Sequence, residues 1–325
     1  MKTCRASLLL LAVSIFCAAT ASATTLYWKG TSADASTLSN WCSDAELTVA
    51  ATAVPADGDD IILGAGAGNM TWNLNDVTPG SWTQTADYTG TVTFNTGRKN
   101  GMTTTLYGVT DDNGETRVFR VSGNCVLMGG TWTHPAQPSF GKSTDAKRNT
   151  DAYKQGYGVY HVIAEIGGDM TVGSGFSANV NEKGFSTSTN NGSGPGASAG
   201  SNDSANHAGI GGKRANTATK ACYGRFRMCN TIGSASGNGA GGGAIKITVA
   251  GGLSIDGAVF QAKSKDVSYY AGAGGSISIV AGSITGSATF NANGGATTSN
   301  SGGGGGGGRI SIVLTGEGKD FSAFS

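Results

Sequence analysis

Three glycine-led repeats near the C-terminal end constrain the fold of this chain more than any other feature. Each repeat begins with a glycine run and continues into alternating apolar and small residues, and the equivalent positions Ile245, Ile277 and Ile310 lie 32 and 33 residues apart. Alternation of this kind predicts strands. Self-similarity at such a period predicts a stack in which each unit buries its apolar face against its neighbours. The repeats run from Gly241 to Lys263, from Ala273 to Gly295 and from Gly302 to Leu314.

A fourth copy precedes these three, at residues 160–184. It aligns with the repeat that begins at Gly241 when Gly167 and Gly168 are matched to Gly251 and Gly252, and Phe176 to Phe260. The glycine run at 302–308 is then interpreted as the corner of the last coil, where glycine lets the backbone turn tightly. Extended polyglycine helices packed side by side are the alternative, although the alternation after the run favours strands.

The N-terminal segment has the pattern of a secretory signal peptide. Lys2 and Arg5 precede an apolar run from Leu8 to Ala19, and Ala21-Ser22-Ala23 supplies the small residues of a cleavage site. The apolar run is shorter than the roughly 20 residues that cross a bilayer. We therefore expect residues 1–23 to be removed, and the product to be secreted or held at a bacterial cell surface rather than integral to the membrane.

Composition argues against two classes of partner. The formal net charge is +1, and loss of Lys2 and Arg5 with the leader would change it to −1. Neither value favours nucleic acid or an anionic membrane surface. Only 13% of the residues are charged whereas 55 are glycine, a composition typical of repetitive structure rather than of an average globular domain.

Four cysteines follow the leader: Cys42, Cys125, Cys222 and Cys229. In an exported protein such cysteines can form disulfides, and Cys222 with Cys229 is the most plausible local pair because both lie in one loop. Unpaired thiols are the second interpretation. A zinc site is the third, since there is no C-x-x-C spacing and His207 is the only nearby histidine.

The segment after the leader has a Trp-x-Gly turn, an Asn-Trp pair and a Pro-x-x-x-Asp-Asp turn before a strand. The matching positions are Trp28, Gly30, Asn40, Trp41, Pro55, Asp59 and Asp60. This pattern resembles the opening segment of secreted bacterial β-helix and autotransporter-passenger proteins, a resemblance that implies architecture and carries no active site. We interpret Trp28 and Trp41 as residues that close the end of a solenoid, with sugar stacking as the alternative.

Two groups of oxygen-bearing side chains raise the possibility of Ca²⁺ binding. They are Asp57, Asp59 and Asp60, and Asp111, Asn113 and Glu115. Neither group is completed by further ligands at a recognisable spacing. We therefore expect a solvated turn at the first group and a hairpin, with its turn at Asn113-Gly114, at the second. No cofactor is expected, and weak Ca²⁺ binding is the alternative.

The second half, from about residue 160, resembles Gly-rich secreted bacterial surface proteins that are taken to be β-solenoids. The predicted fold class is all-β, a right-handed parallel β-helix with Gly-rich turns. We predict a β-rich region at 24–155 and a repeat region at 156–325 that carries an insertion at 185–239. The resemblance implies a non-enzymatic adhesin-like or scaffold role.

The insertion is where we expect a recognition site, because long loops without their own structure are often functional. The expected partners are extracellular glycans or a host or neighbouring cell surface, and an uncapped solenoid is also expected to associate end to end. The candidate ligand-contact residues are His207, Lys213, Arg214, Arg225, Phe226 and Arg227.

Two other functions remain as alternatives. Parallel β-helices include polysaccharide lyases and glycoside hydrolases, which need clustered carboxylates. The acidic residues after position 160 are scattered singly, although stacked coils could bring them together, and the three histidines show no Ser-His-Asp pattern. Ice binding would need a regular Thr ladder, which the irregular spacing of segments such as "TVTF" does not predict.

Overall fold

The computed structural model describes residues 23–98, 116–137, 158–187, 192–197, 203–212, 221–224, 229–237, 239–299 and 302–325. Within these ranges the protein is all-β, as predicted: they contain no α-helix, and their one helical turn is the 3-10 segment Leu38–Asn40. Among the same residues, no helix has the length and apolar character needed to cross a membrane.

Fifteen strands make up the described fold. In chain order they are β1 (Thr25–Trp28), β2 (Trp41–Cys42), β3 (Asp60–Leu63), β4 (Met70–Trp72), β5 (Ser81–Gln84), β6 (Thr91–Phe94), β7 (Gly97–Arg98), β8 (Thr116–Arg117), β9 (Phe119–Val121), β10 (Cys125–Thr133), β11 (Val162–Ile166), β12 (Met170–Asn179), β13 (Ala244–Gln261), β14 (Ser276–Asn291) and β15 (Arg309–Leu314). Thirteen belong to one curled, open sheet, and β7 and β8 form a separate antiparallel pair.

Successive strands stack in parallel and form three ladders. The first ladder comprises β1, β3, β5, the starts of β10 and β12, and the middles of β13 and β14. Adjacent strands lie about 4.8 Å apart, so each inward side chain covers the one beneath it. A single column of seven buried side chains runs through this ladder: Leu26, Ile61, Trp82, Cys125, Met170, Leu253 and Ile284.

The other two ladders complete the curl. The second ladder comprises β4, β6 and the ends of β10, β12, β13 and β14. The third comprises β9, β11, the starts of β13 and β14, and β15. Because β9 pairs with β11 and β10 with β12, the sheet continues across the boundary predicted near residue 155.

The repeat units stack as their spacing predicts. Ile245, Ile277 and Ile310 lie opposite one another in the third ladder. The fourth copy also stacks on its neighbour, since β11 and β12 both pair with β13. Its detailed alignment was wrong, because Ala178 rather than Phe176 lies opposite Phe260. The cause is an irregularity in the register between residues 172 and 177, which no local pattern reveals.

We call each set of successive strands that stacks on the next set a coil. A cluster of aromatic rings fills the core between the early coils. The Trp82 and Phe119 ring centroids are 4.9 Å apart at an interplanar angle of 77°, an edge-to-face arrangement that aromatic pairs prefer. Gln84 is the polar centre of this cluster and is fully buried. Its Oε1 accepts hydrogen bonds from the indole N–H groups of Trp82 and Trp132, and its Nε2 donates to the Gly129 carbonyl.

The N-terminal end of the sheet is closed by two tryptophans. Trp28 and Trp41 are fully buried and pack edge to face with centroids 5.0 Å apart. Their indole N–H groups donate to the carbonyls of Gly68 and Ala35. β2 lies antiparallel to β1 at this end. This burial fits the interpretation that both residues close the stack, and it rules out sugar stacking on their faces in this structure.

The long connections between the later strands all run from the end of the second ladder to the start of the third, and we call this place the corner. The chain leaves the second ladder and returns at the third through residues 95–118, 134–161, 180–243, 262–275 and 292–308. β7 and β8 bring the two ends of the segment 99–115 together as an antiparallel pair. The predicted hairpin, with its turn at Asn113-Gly114, lies in part outside the described residues and stays a prediction.

The described glycine-rich parts of these connections pack together beside the third ladder. We call them the glycine lobe: residues 192–197, 203–212, 229–237, 239–243, 271–275, 292–296 and 302–308. The run 302–308 lies in the connection between β14 and β15, but none of its glycines has the left-handed φ expected of a tight glycine turn.

Hydrogen bonds in the glycine lobe recur at every third residue. The amides of Ala271 and Gly274 donate to the carbonyls of Gly303 and Gly306. The amides of Gly305 and Gly308 donate to the carbonyls of Gly295 and Ala292. An extended helix with three residues per turn presents its amides with this period. The arrangement therefore matches the alternative of polyglycine helices packed side by side.

Candidate functional site

The insertion predicted to hold the recognition site is largely internal where it is described. Many of its small side chains are buried in the glycine lobe, among them Ser193, Ser204, Ala205, Asn206, Thr231, Ile232, Ser234, Ala235 and Ser236. Of the six candidate ligand-contact residues, only His207 lies in the described ranges. Lys213, Arg214, Arg225, Phe226 and Arg227 lie outside them, and their role as ligand contacts stays a prediction.

His207 is a structural residue in this arrangement. Its side chain is fully buried. Nδ1 lies 2.7 Å from the Gly274 carbonyl oxygen, which can only accept, so Nδ1 carries the proton. Nε2 then accepts from the Thr231 hydroxyl at 2.7 Å, and the Tyr223 ring packs on the imidazole with centroids 4.7 Å apart. This placement argues against the predicted ligand contact at His207, since no face of the ring is accessible.

The surroundings of His207 keep it neutral. Burial lowers its pKa to about 4, and the nearby Arg309 guanidinium acts in the same direction, whereas the hydrogen bond to Gly274 opposes both. His134 behaves in the same way, because burial lowers its pKa to about 3. Both imidazoles therefore act as uncharged packing groups at neutral pH.

The structure places the predicted disulfide partners in different environments. Cys222 is exposed, Cys229 is buried in the glycine lobe, and no disulfide joins them. Burial raises the pKa of the Cys229 thiol, against the influence of Arg309 and a hydrogen bond with Ser311. Burial also raises the pKa of Cys125, which sits in the core of the first ladder. Neither Cys125 nor Cys229 is in the thiolate form that reacts or binds metals at neutral pH.

The acidic residues proposed as calcium ligands hold turns together. Asp59 accepts from the amide and hydroxyl of Thr24 with one oxygen and from the Ala56 amide with the other. Asp57 accepts from the Thr78 amide, and Asp60 from the Ser81 hydroxyl. Asp111, Asn113 and Glu115 lie outside the described residues. The described ranges contain no group of three His, Cys, Asp or Glu residues that could hold a metal ion.

Other surface carboxylates are used in the same way. Hydrogen bonds from Ser36 and Asn73 lower the pKa of Asp34, and hydrogen bonds from Thr48 and Val49 lower that of Asp44. A hydrogen bond from Lys263 lowers the pKa of Asp266, and one from Ser322 lowers the pKa of Asp320. A general acid needs a raised pKa, so these four carboxyls are suited to fixing turns and not to donating a proton.

The outer surface of the second ladder carries a regular array of polar side chains. We call it the hydroxyl-amide face. Its side chains are half-buried, except for the exposed Thr289, and they form two columns in register across the coils. One column is Thr91, Thr131, Ser177, Val259 and Thr289, and the other is Thr71, Thr93, Thr133, Asn179, Gln261 and Asn291.

Neighbouring coils are linked across this face. The hydroxyls of Thr131 and Ser177 are 3.0 Å apart, and the Thr133 hydroxyl donates to the Asn179 carbonyl at 2.7 Å. The argument from irregular Thr spacing against a ladder was wrong for the early coils, since Thr91 stacks on Thr131. A clue existed in the alternation of "TVT" and "TWT", but their register could not be read from the sequence.

Three amides dominate the later part of this face. Asn179, Gln261 and Asn291, which we call the amide row, lie opposite one another on β12, β13 and β14. Asn179 and Asn291 each accept from the backbone amide two residues ahead through Oδ1. Gln261 accepts through Oε1 from the Asn181 side chain. Each carbonyl oxygen is thus used internally, which fixes the amide and directs its NH₂ group away from the turn.

No protein-family model matches the sequence, and comparison with curated proteins and with solved structures gives no significant match.

Proposed function

We propose that the three ladders are those of a right-handed parallel β-helix, and that the protein is a secreted or cell-surface, non-enzymatic scaffold with an adhesin-like role. Three parallel ladders formed by successive coils support the solenoid. Parallel strands joined by a crossover are almost always right-handed, which supports the hand. Extracellular glycans are the proposed contact partners.

The continuous core carries this proposal. Side chains of all three ladders form one buried cluster that extends from Leu26 on β1 to Ile284 on β14. Each coil therefore depends on its neighbours for burial, as in repeat proteins that act as rigid, elongated surfaces. Function on such a frame belongs to its exterior and to its connections.

The use of the described carboxylates favours this proposal over a polysaccharide lyase or hydrolase. Hydrolases place two acidic groups around one glycosidic bond, and lyases need a Ca²⁺-binding acidic cluster beside an Arg or Lys base. Here Asp34, Asp44, Asp59, Asp169 and Asp266 each accept backbone hydrogen bonds within their own turns or between adjacent coils. Release of reducing ends or unsaturated sugars from a polysaccharide panel would replace the scaffold proposal by the enzymatic one.

Fractionation of the producing organism tests the export that the proposal requires. We expect the protein in the extracellular or outer-surface fraction, sensitive to protease added to intact cells, and with an N-terminus near Thr24. A protein that keeps residues 1–23 and stays with the cytoplasmic markers would overturn the proposal. Glycan binding is not needed for this outcome, so the two parts of the proposal can fail separately.

A further inference from the structure

We infer that the hydroxyl-amide face, centred on the amide row, binds a neutral polysaccharide chain laid across the coils. This inference rests on the proposed function for its partner class, and it names the surface and the chemistry. It places the binding site on the outer surface of the second ladder and not in the insertion, where the sequence argument had placed it.

The absence of charge on the hydroxyl-amide face favours a neutral polymer as its partner. None of the eleven positions of the hydroxyl-amide face is charged. The exterior of the third ladder, by contrast, carries Arg120, Glu165 and Lys246, with Arg120 and Glu165 paired at 3.0 Å. An anionic polymer or an acidic protein would gain nothing electrostatic on the uncharged surface. A neutral chain with many hydroxyl groups matches it.

The amide row supplies pre-oriented donors. Because the oxygens of Asn179, Gln261 and Asn291 accept internal hydrogen bonds, the side chains are already ordered and lose little entropy on binding. Their NH₂ groups make no hydrogen bond within the described residues. Repeated at about 4.8 Å along the stack, they can donate to successive sugar oxygens. Beside them, Ser177 and Thr289 add hydroxyls that can donate or accept.

The residue types favour a glycan over ice as the occupant. On this face stacked threonines lie on the early strands, at Thr71, Thr91, Thr93, Thr131 and Thr133. Further along the stack the same two columns carry Ser, Val, Asn and Gln, with Thr289 as the one later threonine. A crystal surface requires one repeated group, whereas a sugar chain presents hydroxyls of differing orientation that mixed hydroxyls and amides can meet.

A double variant tests the amide row. Q261E with N291D keeps the oxygen that each internal hydrogen bond uses but replaces the outward NH₂ donors by charged acceptors. S254D with T285D is the matched control, because it places two carboxylates at exposed positions, in register on β13 and β14, on the first ladder's exterior. The purified full chain and both variants are assayed by affinity electrophoresis in β-glucan, xylan, galactomannan and dextran, and by sedimentation with cellulose and chitin.

We expect the wild-type chain to bind at least one of these neutral polymers, the Q261E/N291D variant to bind about tenfold more weakly, and the control to match the wild type. Equal melting temperatures establish that all three are folded.

Lack of binding to every neutral polymer overturns the inference, and so does an equal loss in the control. Alginate and polygalacturonate are run in the same gels as anionic polymers, and binding to these alone would overturn the inference and point instead to the basic residues of the insertion. Thermal hysteresis that the double variant abolishes would assign the face to ice. None of these results affects the fractionation test of the proposed function.

Discussion

Gln84 shows how one polar residue can organise an aromatic core. Its side chain satisfies both the Trp82 and Trp132 indoles and the Gly129 carbonyl. Gln84→Leu keeps the volume but leaves these buried groups without partners, at a cost of about 3 kcal/mol of unfolding free energy. Urea unfolding followed by tryptophan fluorescence measures the loss. The outward neighbour Thr83→Val is the control and should stay within about 0.5 kcal/mol of wild type; a Gln84→Leu protein as stable as this control would contradict the assignment.

The buried histidines set an acid limit to stability. The folded-state pKa values of His207 and His134 are about 4 and about 3, below the unfolded value near 6.5. A depressed pKa means that stability is complete above the unfolded value and is lost as pH falls toward the folded one. For His207 the loss by pH 4 is about 3 kcal/mol. The lowered pKa values of Asp34 and Asp266 act only below about pH 4, a separate window.

Urea midpoints measured at several pH values between 7.5 and 4.5 test this effect. We expect the wild-type midpoint to fall over this range. In His207→Gln, which cannot titrate, the slope should be shallower. Parallel slopes in the two proteins would mean that His207 does not titrate as its burial requires.

At the scale of elements, the glycine lobe depends on close backbone contact rather than on flexibility. A Cβ on Gly305 would lie 1.8 Å from the Gly272 carbonyl oxygen, whereas a Cβ on Gly307 meets nothing within 4 Å. Gly305→Ala is therefore expected to destabilise the protein by about 2–3 kcal/mol through overpacking. Gly307→Ala should be neutral or slightly stabilising. The melting temperatures of the two variants are measured by thermal unfolding. Equal values would contradict the close backbone packing at Gly305.

The strands of the repeats were predictable, and the glycine lobe was not. Ile245, Ile277 and Ile310 alternate with small residues, and this local pattern is enough to place them on stacked strands. The run 302–308 has no such pattern, because glycine is compatible with a turn or with an extended helix. Its conformation depends on partners far away in sequence, such as the Ala205 carbonyl that accepts from the Gly306 amide.

The burial of His207 and the existence of the hydroxyl-amide face were both missed, because each depends on tertiary packing. His207 was expected to contact a ligand because long insertions usually are exposed, yet close packing of small residues and of glycine backbone encloses it. The alternation within β12 and within β13 is compatible with an outward polar side, but a long connection separates these strands. Their mutual register, which aligns Asn179 with Gln261, is a tertiary property and was not visible in either segment.

At the scale of the whole molecule, the two ends of the stack are unequal. β2 and two buried tryptophans close one end. At the other, β15 has a strand partner on one side only within the described residues. Ile310 is 47% exposed there, although its column partners Ile245 and Ile277 are fully buried. Such an edge can pair with another chain, so we expect concentration-dependent self-association.

Sedimentation velocity over a hundredfold concentration range measures this association. Ile310→Lys should shift the protein toward monomer, because a charge on an edge strand opposes pairing. Thr171→Lys, which adds the same charge to an exposed position of β12, should not. A wild-type chain that remains monomeric at the highest concentration would rule out association through this edge.

The single corner from which the long connections leave has a further consequence for how such a molecule can diversify. Lengthening a surface loop costs little closure entropy, about 0.6 kcal/mol for each doubling. Segments as different in size as 262–275 and 180–243 leave the same corner, and the strands that each segment joins still pair in parallel. Related chains could therefore gain or lose whole segments there through insertion and deletion while the ladders stay unaltered, provided that the first residues of each connection, such as Asn181 and Asn293, still hold the amide row.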